Sequence, residues 1–176
     1  MLIGNDPRVL RRRNLMVALL ERHGASLADR EHGAAHLTAS TLVLDADRRR
    51  LVVLLHSKLR RWLQPGGHAD GDLELAGVAM REASEETGLG GLAILEAPVD
   101  VDIHQVDHGD ALGRHLHLDV RFVAVAERDS ILRGNHESEE LRWVRTDDLR
   151  ALTDEPSLHR LARLGSAAAS LHHDAP

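Results

Sequence analysis

The feature that most restricts how this chain can fold is a glycine turn followed by an acidic helix, at residues 66–89. Its sequence is GGHADGDLELAGVAMREASEETGL. Pro65, Gly66 and Gly67 predict a turn in which the backbone can approach a neighbour closely and present a bare carbonyl oxygen. The residues after this turn predict a helix that ends at Gly88, because glycine readily adopts the left-handed conformation of a C-cap. The chain must therefore fold so that a tight loop leads into this helix.

Three carboxylates share one face of the predicted helix. Glu82, Glu85 and Glu86 are three and four residues apart, so their side chains project on the same side. Like charges at this spacing cost a few tenths of a kcal/mol per pair, a cost that a divalent cation between them would offset. Oxygen ligands favour a hard ion such as Mg²⁺ or Mn²⁺. Arg81 lies four residues before Glu85, so we expect it to hold that carboxylate in one rotamer.

The spacing of these residues resembles the Nudix box, written G-x5-E-x7-R-E-U-x-E-E-x-G-U, where U is aliphatic. The matching positions are Gly67, Arg81, Glu82, Ala83, Glu85, Glu86, Gly88 and Leu89. Leu73 stands where the box has its first Glu, a supporting residue in the family, and Asp70, Asp72 and Glu74 lie nearby. The departure removes any role carried over from that Glu but leaves the R-E-x-x-E-E core intact.

The resemblance implies an α/β protein with the Nudix fold, a mixed β-sheet in an α/β/α sandwich with additional N- and C-terminal helices. We predict a helical extension at residues 1–36, the Nudix domain at 37–150, and a C-terminal helix and tail at 151–176, packed as a single domain. Periodicity and turn residues predict helices at 8–23, 147–152 and from Pro156, strands at 36–45, 50–56, 92–106, 116–126 and 141–144, a loop at 25–35, and a disordered tail from His172.

The resemblance also implies an activity, the hydrolysis of a nucleoside diphosphate linked to some other group X. Mg²⁺ or Mn²⁺ would be held by Glu82, Glu85, Glu86 and the Gly67 carbonyl. Water would attack phosphorus, and Arg81 with Glu82 or Glu139 would be the catalytic residues, either carboxylate serving as base. A noncatalytic Nudix module that binds or senses a ligand is the alternative. The isomerase of isopentenyl diphosphate shares the fold, but it uses a cysteine and this chain has none.

Further candidates lie outside the box. Arg60 and Arg61 are candidates for contacts with substrate phosphates, and Glu137 is a second acidic candidate beside Glu139. His115 and His117 fall on one face of a predicted strand, where they would meet the substrate. A His-x-His pair also suits a transition metal, and His104 and His108 would extend it to an imidazole cluster, although polar pocket residues are the simpler interpretation.

Composition restricts the remaining possibilities. A chain of 176 residues is long enough for one domain with a substantial core. The net charge of −6 argues against nonspecific nucleic-acid binding. No apolar run approaches the roughly 20 residues of a membrane helix. We therefore expect a cytoplasmic enzyme whose partner is a small-molecule diphosphate or nucleotide. A homodimer is implied only by the family.

Substrate identity stays open at this point. The residues that mark family members acting on ADP-ribose, diadenosine polyphosphates or coenzyme A are absent from this chain. Nucleoside triphosphates, sugar nucleotides and non-nucleotide diphosphates therefore remain as substrate classes. A base-stacking surface would have to use Trp62, Trp143, a histidine or an arginine, because the chain lacks tyrosine and has a single phenylalanine.

Overall fold

The computed structural model describes residues 6–107, 113–136 and 138–173. The helices are α1 (Pro7–His23), α2 (Leu75–Thr87), α3 (Leu149–Leu152) and α4 (Pro156–His173), with 3-10 turns at Gly24–Ala28 and Thr146–Asp148. The strands are β1 (Ala35–Leu44), β2 (Arg50–His56), β3 (Trp62–Leu63), β4 (Gly66–His68), β5 (Ala93–Asp107), β6 (Arg114–Val125) and β7 (Ser138–Arg145).

The strands form one mixed sheet around β1, whose ten residues are all buried. Strand β1 runs parallel to β6, from the pair Ala35 and Leu116 to the pair Leu44 and Val125. It runs antiparallel to β2 and β4. The strand order is β3-β2-β1-β6-β5, with β4 paired to β1 and β7 paired to β2. Because β1 and β6 are parallel, the chain must return from the end of β1 to the opposite edge of the sheet before β6 begins. Helix α2 lies in this connection.

Helices cover both faces of the sheet. Ala39 and Phe122 pack against Val78 and Ala79 of α2. On the opposite face, Leu42 and Val123 belong to a cluster with residues of α4. Side chains alternate between faces along a strand, so neighbouring residues of β1 meet different helices. The predicted α/β/α sandwich is confirmed.

Helix α1 forms over the predicted residues and has a capping group at each end. The Asp6 carboxylate accepts a hydrogen bond of 2.8 Å from the Arg8 N–H, and Gly24 ends the helix with a φ of 60°. Val9 and Met16 bury their side chains in a cluster with β1, β5 and β6. The extension therefore packs on the sheet, while the division of the chain at residues 36 and 150 stays a prediction.

Two local predictions are wrong. The segment predicted as loop from residue 25 begins inside the 3-10 turn Gly24–Ala28, where Leu27 is fully buried. The burial of Leu27 against the core explains why this polar segment is ordered. Helix α4 continues through His173, so the prediction of a disordered tail fails at His172. Residues 174–176 lie outside the described residues. No helix among the described residues is long and apolar enough to cross a membrane.

Gly165 brings α4 close to the sheet. A Cβ at this position would lie 2.5 Å from Leu42 Cδ2 and 2.7 Å from Val123 Cγ2, and both residues are fully buried. We expect Gly165→Ala to lower the free energy of unfolding by about 1–3 kcal/mol, because the added methyl group overpacks the core. Urea denaturation measures this change.

The matched control is Gly77→Ala in α2. The nearest atom to a Cβ at Gly77 is Glu74 Cβ at 4.0 Å, so the methyl group fits. This variant should gain about 0.5–1 kcal/mol, because alanine is the better helix former. Equal stabilisation by the two substitutions would show that α4 can move away from the sheet at little cost.

Candidate active site

The glycine turn is held against both β1 and α2. The Gly66 N–H donates a 2.8 Å hydrogen bond to Glu86 Oε2, and the Glu86 side chain is buried. Strand β4 pairs Gly66 with Ser40 and Gly67 with Ala39. A Cβ at Gly66 would overlap Ser40, so only glycine fits there. The prediction of a turn is therefore wrong for Gly66 and Gly67, because pairing with β1 makes them part of strand β4. The two glycines nevertheless lie directly beside the carboxylates of α2.

Glu82 is the carboxylate next to Gly67. A Cβ at Gly67 would overlap Glu82 Oε2, so the absence of a side chain creates room for that carboxylate. Arg81 Nη2 donates a 3.0 Å hydrogen bond to Glu82 Oε1. The expectation that Arg81 holds Glu85 is therefore wrong. The half-buried Glu82 attracts the guanidinium, whereas Glu85 points into solvent.

The three carboxylates of α2 have different surroundings. Glu86 is buried on the turn, Glu82 is half-buried beside Gly67, and Glu85 is exposed. Such a set presents carboxylate oxygen atoms at increasing distance from the core. Oxygen donors of this kind match a hard divalent cation that keeps several of its water ligands. The donor set fits Mg²⁺ or Mn²⁺.

Leu73 lies in the loop before α2, and its side chain is 52% exposed. The acidic residues around it have other roles. Asp70 forms an ion pair with Arg30, and Asp72 accepts a 2.8 Å hydrogen bond from the Glu74 N–H. The neighbouring Asp70 and Asp72 are thus engaged locally, and the leucine offers no ligand oxygen.

Two predicted phosphate-binding residues form ion pairs with protein carboxylates. Arg60 contacts Glu139, the candidate base on β7. Arg61 Nη2 lies 2.6 Å from Glu155 Oε2. The structure thus joins two predicted residues to each other rather than to α2. The other acidic candidate, Glu137, lies outside the described residues.

The histidine face is larger than the sequence predicts. The ring centroid of His36 on β1 is 4.7 Å from those of both His115 and His117 on β6, which are 5.3 Å from each other. The His68 ring of β4 is 4.9 Å from His36, and the His104 ring of β5 is 5.4 Å from His117. The parallel register places His36 beside His117, which the sequence alone does not reveal. His108 lies outside the described residues.

Two imidazoles of this cluster, His36 and His117, are poor proton acceptors. Burial, followed by the neighbouring His68 and His115, lowers the pKa of His36 to about 4. Burial, followed by the surrounding histidines, also lowers the pKa of His117 well below its usual range. Both rings are therefore neutral at neutral pH.

A network of buried charges adjoins the histidines on the same face of the sheet. Arg121 is 2% exposed and donates hydrogen bonds to Asp119, Asp100 and Asp102. Arg160 of α4 forms ion pairs with Asp100 and Asp102. This network was missed by the sequence analysis, although period-two alternation of aspartate and arginine in β5 and β6 is a visible signal.

Asp102 shows how strongly the network favours ionised carboxylates. Burial opposes its ionisation, but the hydrogen bond from His104 and the charges of Arg121 and Arg160 outweigh that effect. The pKa of Asp102 therefore lies below its usual range. Thr38 and Ser40 donate hydrogen bonds to Asp119, which links the network to the strand that pairs with the glycine turn.

The family model of the NUDIX domain matches residues 34–164, which is most of the chain. The chain belongs to the Nudix family. The match covers the glycine turn, α2 and the whole sheet. It confirms the prediction of a Nudix-type pyrophosphohydrolase.

Solved Nudix structures share the fold at low sequence identity. An Ap4A hydrolase from C. elegans, in a binary complex, has a TM-score of 0.59 and 18% identity, over 78% of this chain and 98% of that chain. The E. coli dihydroneopterin triphosphate pyrophosphohydrolase has a TM-score of 0.59 and 14% identity, over 72% and 92%. The NUDIX domain of Shewanella oneidensis NrtR, complexed with ADP ribose, has a TM-score of 0.56 and 18% identity, over 85% and 98%.

No curated protein matches this chain by sequence. The three solved structures are 14–18% identical to this chain, so the similarity to them is a similarity of fold. It supports the order of strands around the Nudix helix α2, and it leaves the substrate to be argued from this chain's own residues.

Proposed function

We propose that this Nudix protein is a Mg²⁺- or Mn²⁺-dependent hydrolase that cleaves a diphosphate bond in a nucleoside diphosphate linked to X, or in a related compound. The observation that carries this proposal is the position of Gly66 and Gly67 of β4 against α2. The Gly66 N–H binds Glu86, and Gly67 makes room for Glu82. This arrangement keeps the carboxylates of Glu82 and Glu86 close to the two glycines.

Glu82, Glu85, Glu86 and the Gly67 carbonyl are the groups that would hold the cation. When bound, the cation would neutralise the charge of the diphosphate and activate a water molecule. The chain's own residues have distinct tasks in this scheme. Buried Glu86 fixes the turn, and Arg81 fixes the orientation of Glu82 through their 3.0 Å hydrogen bond. Exposed Glu85 is the carboxylate most accessible to an incoming substrate.

Proton removal from the attacking water is assigned to Glu82. It is the carboxylate beside Gly67, and a base must lie within hydrogen-bonding reach of the water it activates. Glu139 is the second candidate, but its carboxylate contacts Arg60. Glu139 would act only if a substrate phosphate drew Arg60 away. Arg60 and Arg61 are exposed enough to make that exchange, which is why they remain proposed phosphate ligands.

The proposed substrate is a small molecule that contains a phosphoanhydride. The compounds named for the three similar structures are Ap4A, dihydroneopterin triphosphate and ADP ribose. They share the phosphoanhydride and differ in the attached group. His115 and His117 are the proposed contacts to that group. The cytoplasmic location, the absence of nucleic-acid and membrane partners, and the homodimer stay predictions.

A noncatalytic ligand-binding module is the second candidate function. Leu73 favours it, because a carboxylate of the box is replaced by an exposed leucine. Against it stands the retention of Glu82, Glu85 and Glu86 on one helix. The two functions differ in turnover, since a sensor binds its ligand without cleaving it.

Metal removal tests the proposal. We expect a panel of nucleotides and diphosphates to include a compound that the protein hydrolyses in Mg²⁺ or Mn²⁺. Turnover should fall to the background rate in EDTA and return when the metal is restored. The reason is that the cation supplies the positive charge that neutralises the diphosphate, which the carboxylates cannot do. Release of phosphate and of nucleoside monophosphate measures the rate. Tight binding of one panel member, measured by thermal shift, without turnover in either metal would support the sensor instead.

A further inference from the structure

Three histidines of the sheet converge on one point. His36, His115 and His117 each place a ring nitrogen within 4.8 Å of the other two. Nitrogen ligands of a tetrahedral zinc ion lie about 3.4 Å apart, given Zn–N distances near 2.0–2.1 Å. Small rotations of the rings would close the difference. The three residues come from two adjacent strands, so the sheet itself fixes their spacing.

The tautomer of His115 is set by its surroundings. Its Nδ1 lies 2.9 Å from the Gly113 carbonyl oxygen, so Nδ1–H is the donor in that hydrogen bond. The lone pair therefore resides on Nε2. A backbone carbonyl that accepts from one ring nitrogen is the usual arrangement for a histidine that binds a metal through the other nitrogen.

His36 provides the second observation. It is 1% exposed, and neither of its ring nitrogens has a hydrogen-bond partner among the described residues. A buried polar group without a partner costs free energy, and such groups are rare in native proteins. A metal ion would give one of these two ring nitrogens a partner.

We propose that His36, His115 and His117 bind one transition-metal ion of the Zn²⁺ type, with an open fourth position. Imidazole ligands select zinc and its neighbours, whereas Mg²⁺ prefers oxygen. Three histidines with an open position are the pattern of zinc sites that keep a water ligand. His68 and His104 surround the site without belonging to the ligand set.

This site is separate from the carboxylates of α2. Gly67 faces Glu82, and the next residue, His68, faces the opposite side of the strand, towards His36. The nitrogen ligands and the oxygen ligands therefore lie on opposite faces of the sheet. The two sites can be filled independently, so the inference does not rest on the proposed hydrolase function.

Cobalt binding tests the proposal directly. The protein, without a polyhistidine tag, is stripped with chelator and titrated with Co²⁺ in saturating Mg²⁺ and without substrate. We expect one equivalent to bind and to give the intense visible bands of four-coordinate Co²⁺. His115→Ala and His117→Ala should each weaken binding by about 100-fold or more, since even the loss of a supporting group costs 10–100-fold.

Two controls make the result decisive. His172→Ala removes an exposed histidine of α4, and Glu85→Gln removes an oxygen ligand, so both variants should bind Co²⁺ like the wild type. If His115→Ala or His117→Ala unfolds, the ligands are identified instead by NMR of the wild-type protein during a Zn²⁺ titration. Zn²⁺ should then shift the ring nitrogen signals of His36, His115 and His117 but leave His172 unchanged. Absence of the one-equivalent site, or its loss in Glu85→Gln, overturns the proposal.

Discussion

Replacing Glu85 with Gln is expected to lower kcat of the hydrolase by about 10²–10³-fold, the usual cost of removing one group that stabilises charge in a transition state. The substitution preserves shape and removes one negative charge. Glu85 is exposed, and its neighbours on α2 do not depend on it for packing. The melting temperature should therefore change little, so the loss would report on chemistry rather than on folding.

Steady-state rates on the compound found by the panel measure this effect. Glu96→Gln is the matched control, because it makes the same change at an exposed position of β5. It should keep wild-type activity. A Glu85→Gln enzyme within a few-fold of the wild type would contradict the proposed ligand set. The cation would then be held by Glu82, Glu86 and the Gly67 carbonyl.

Local signals explain why α2 was predictable from the sequence. The helix ends at Gly88 as predicted, and this glycine adopts the left-handed conformation of a C-cap with a φ of 68°. The partner of Arg81 was not predictable, because helix spacing favours Glu85 and ignores the loop. Gly67 makes room for Glu82 beside Arg81, and that contact depends on how β4 packs on α2. The rotamer was decided by tertiary structure.

Strand pairing explains what the sequence could not provide. Alternation in β6 correctly separates His115 and His117 from the apolar residues between them. It does not reveal that His36, on a strand far earlier in the chain, lies beside them, because register is set by the whole sheet. The ion pair of Arg60 with Glu139 is nonlocal in the same way. The face of a strand on which a side chain lies could be predicted from the sequence, whereas its contact partner on a distant strand could not.

The buried charges around Arg121 carry the largest expected effect on stability. Arg121→Met keeps much of the side-chain length and removes the positive charge. Asp119 would lose its 2.7 Å contact to Arg121 Nε and, among the residues that the structure describes, would keep the hydroxyls of Thr38 and Ser40 as hydrogen-bond donors. Breaking a buried ion pair by removing one partner costs about 3–5 kcal/mol, because the other charge stays buried.

Urea denaturation, followed by the fluorescence of Trp62 and Trp143, measures the free energy of unfolding. The melting temperature should fall by about 6–20 °C for a chain of this size. Arg128→Met is the matched control, since Arg128 forms an exposed pair with Asp47 at 3.1 Å. Exposed pairs contribute about 0–1 kcal/mol, so this variant should resemble the wild type.

The pH dependence of the free energy of unfolding, compared between the wild type and Arg121→Met, distinguishes the loss of a charge pair from the loss of packing. The folded-state pKa of Asp102 is lowered, so its ionisation stabilises the wild type above the ordinary carboxyl pKa of 3.8. That stability is lost as the pH falls towards the folded-state pKa. In Arg121→Met the pKa of Asp102 should rise, so the penalty of the substitution should shrink in acid as the carboxyls become protonated. A penalty that is the same at pH 7 and at pH 4 would mean that Arg121 acts through packing alone.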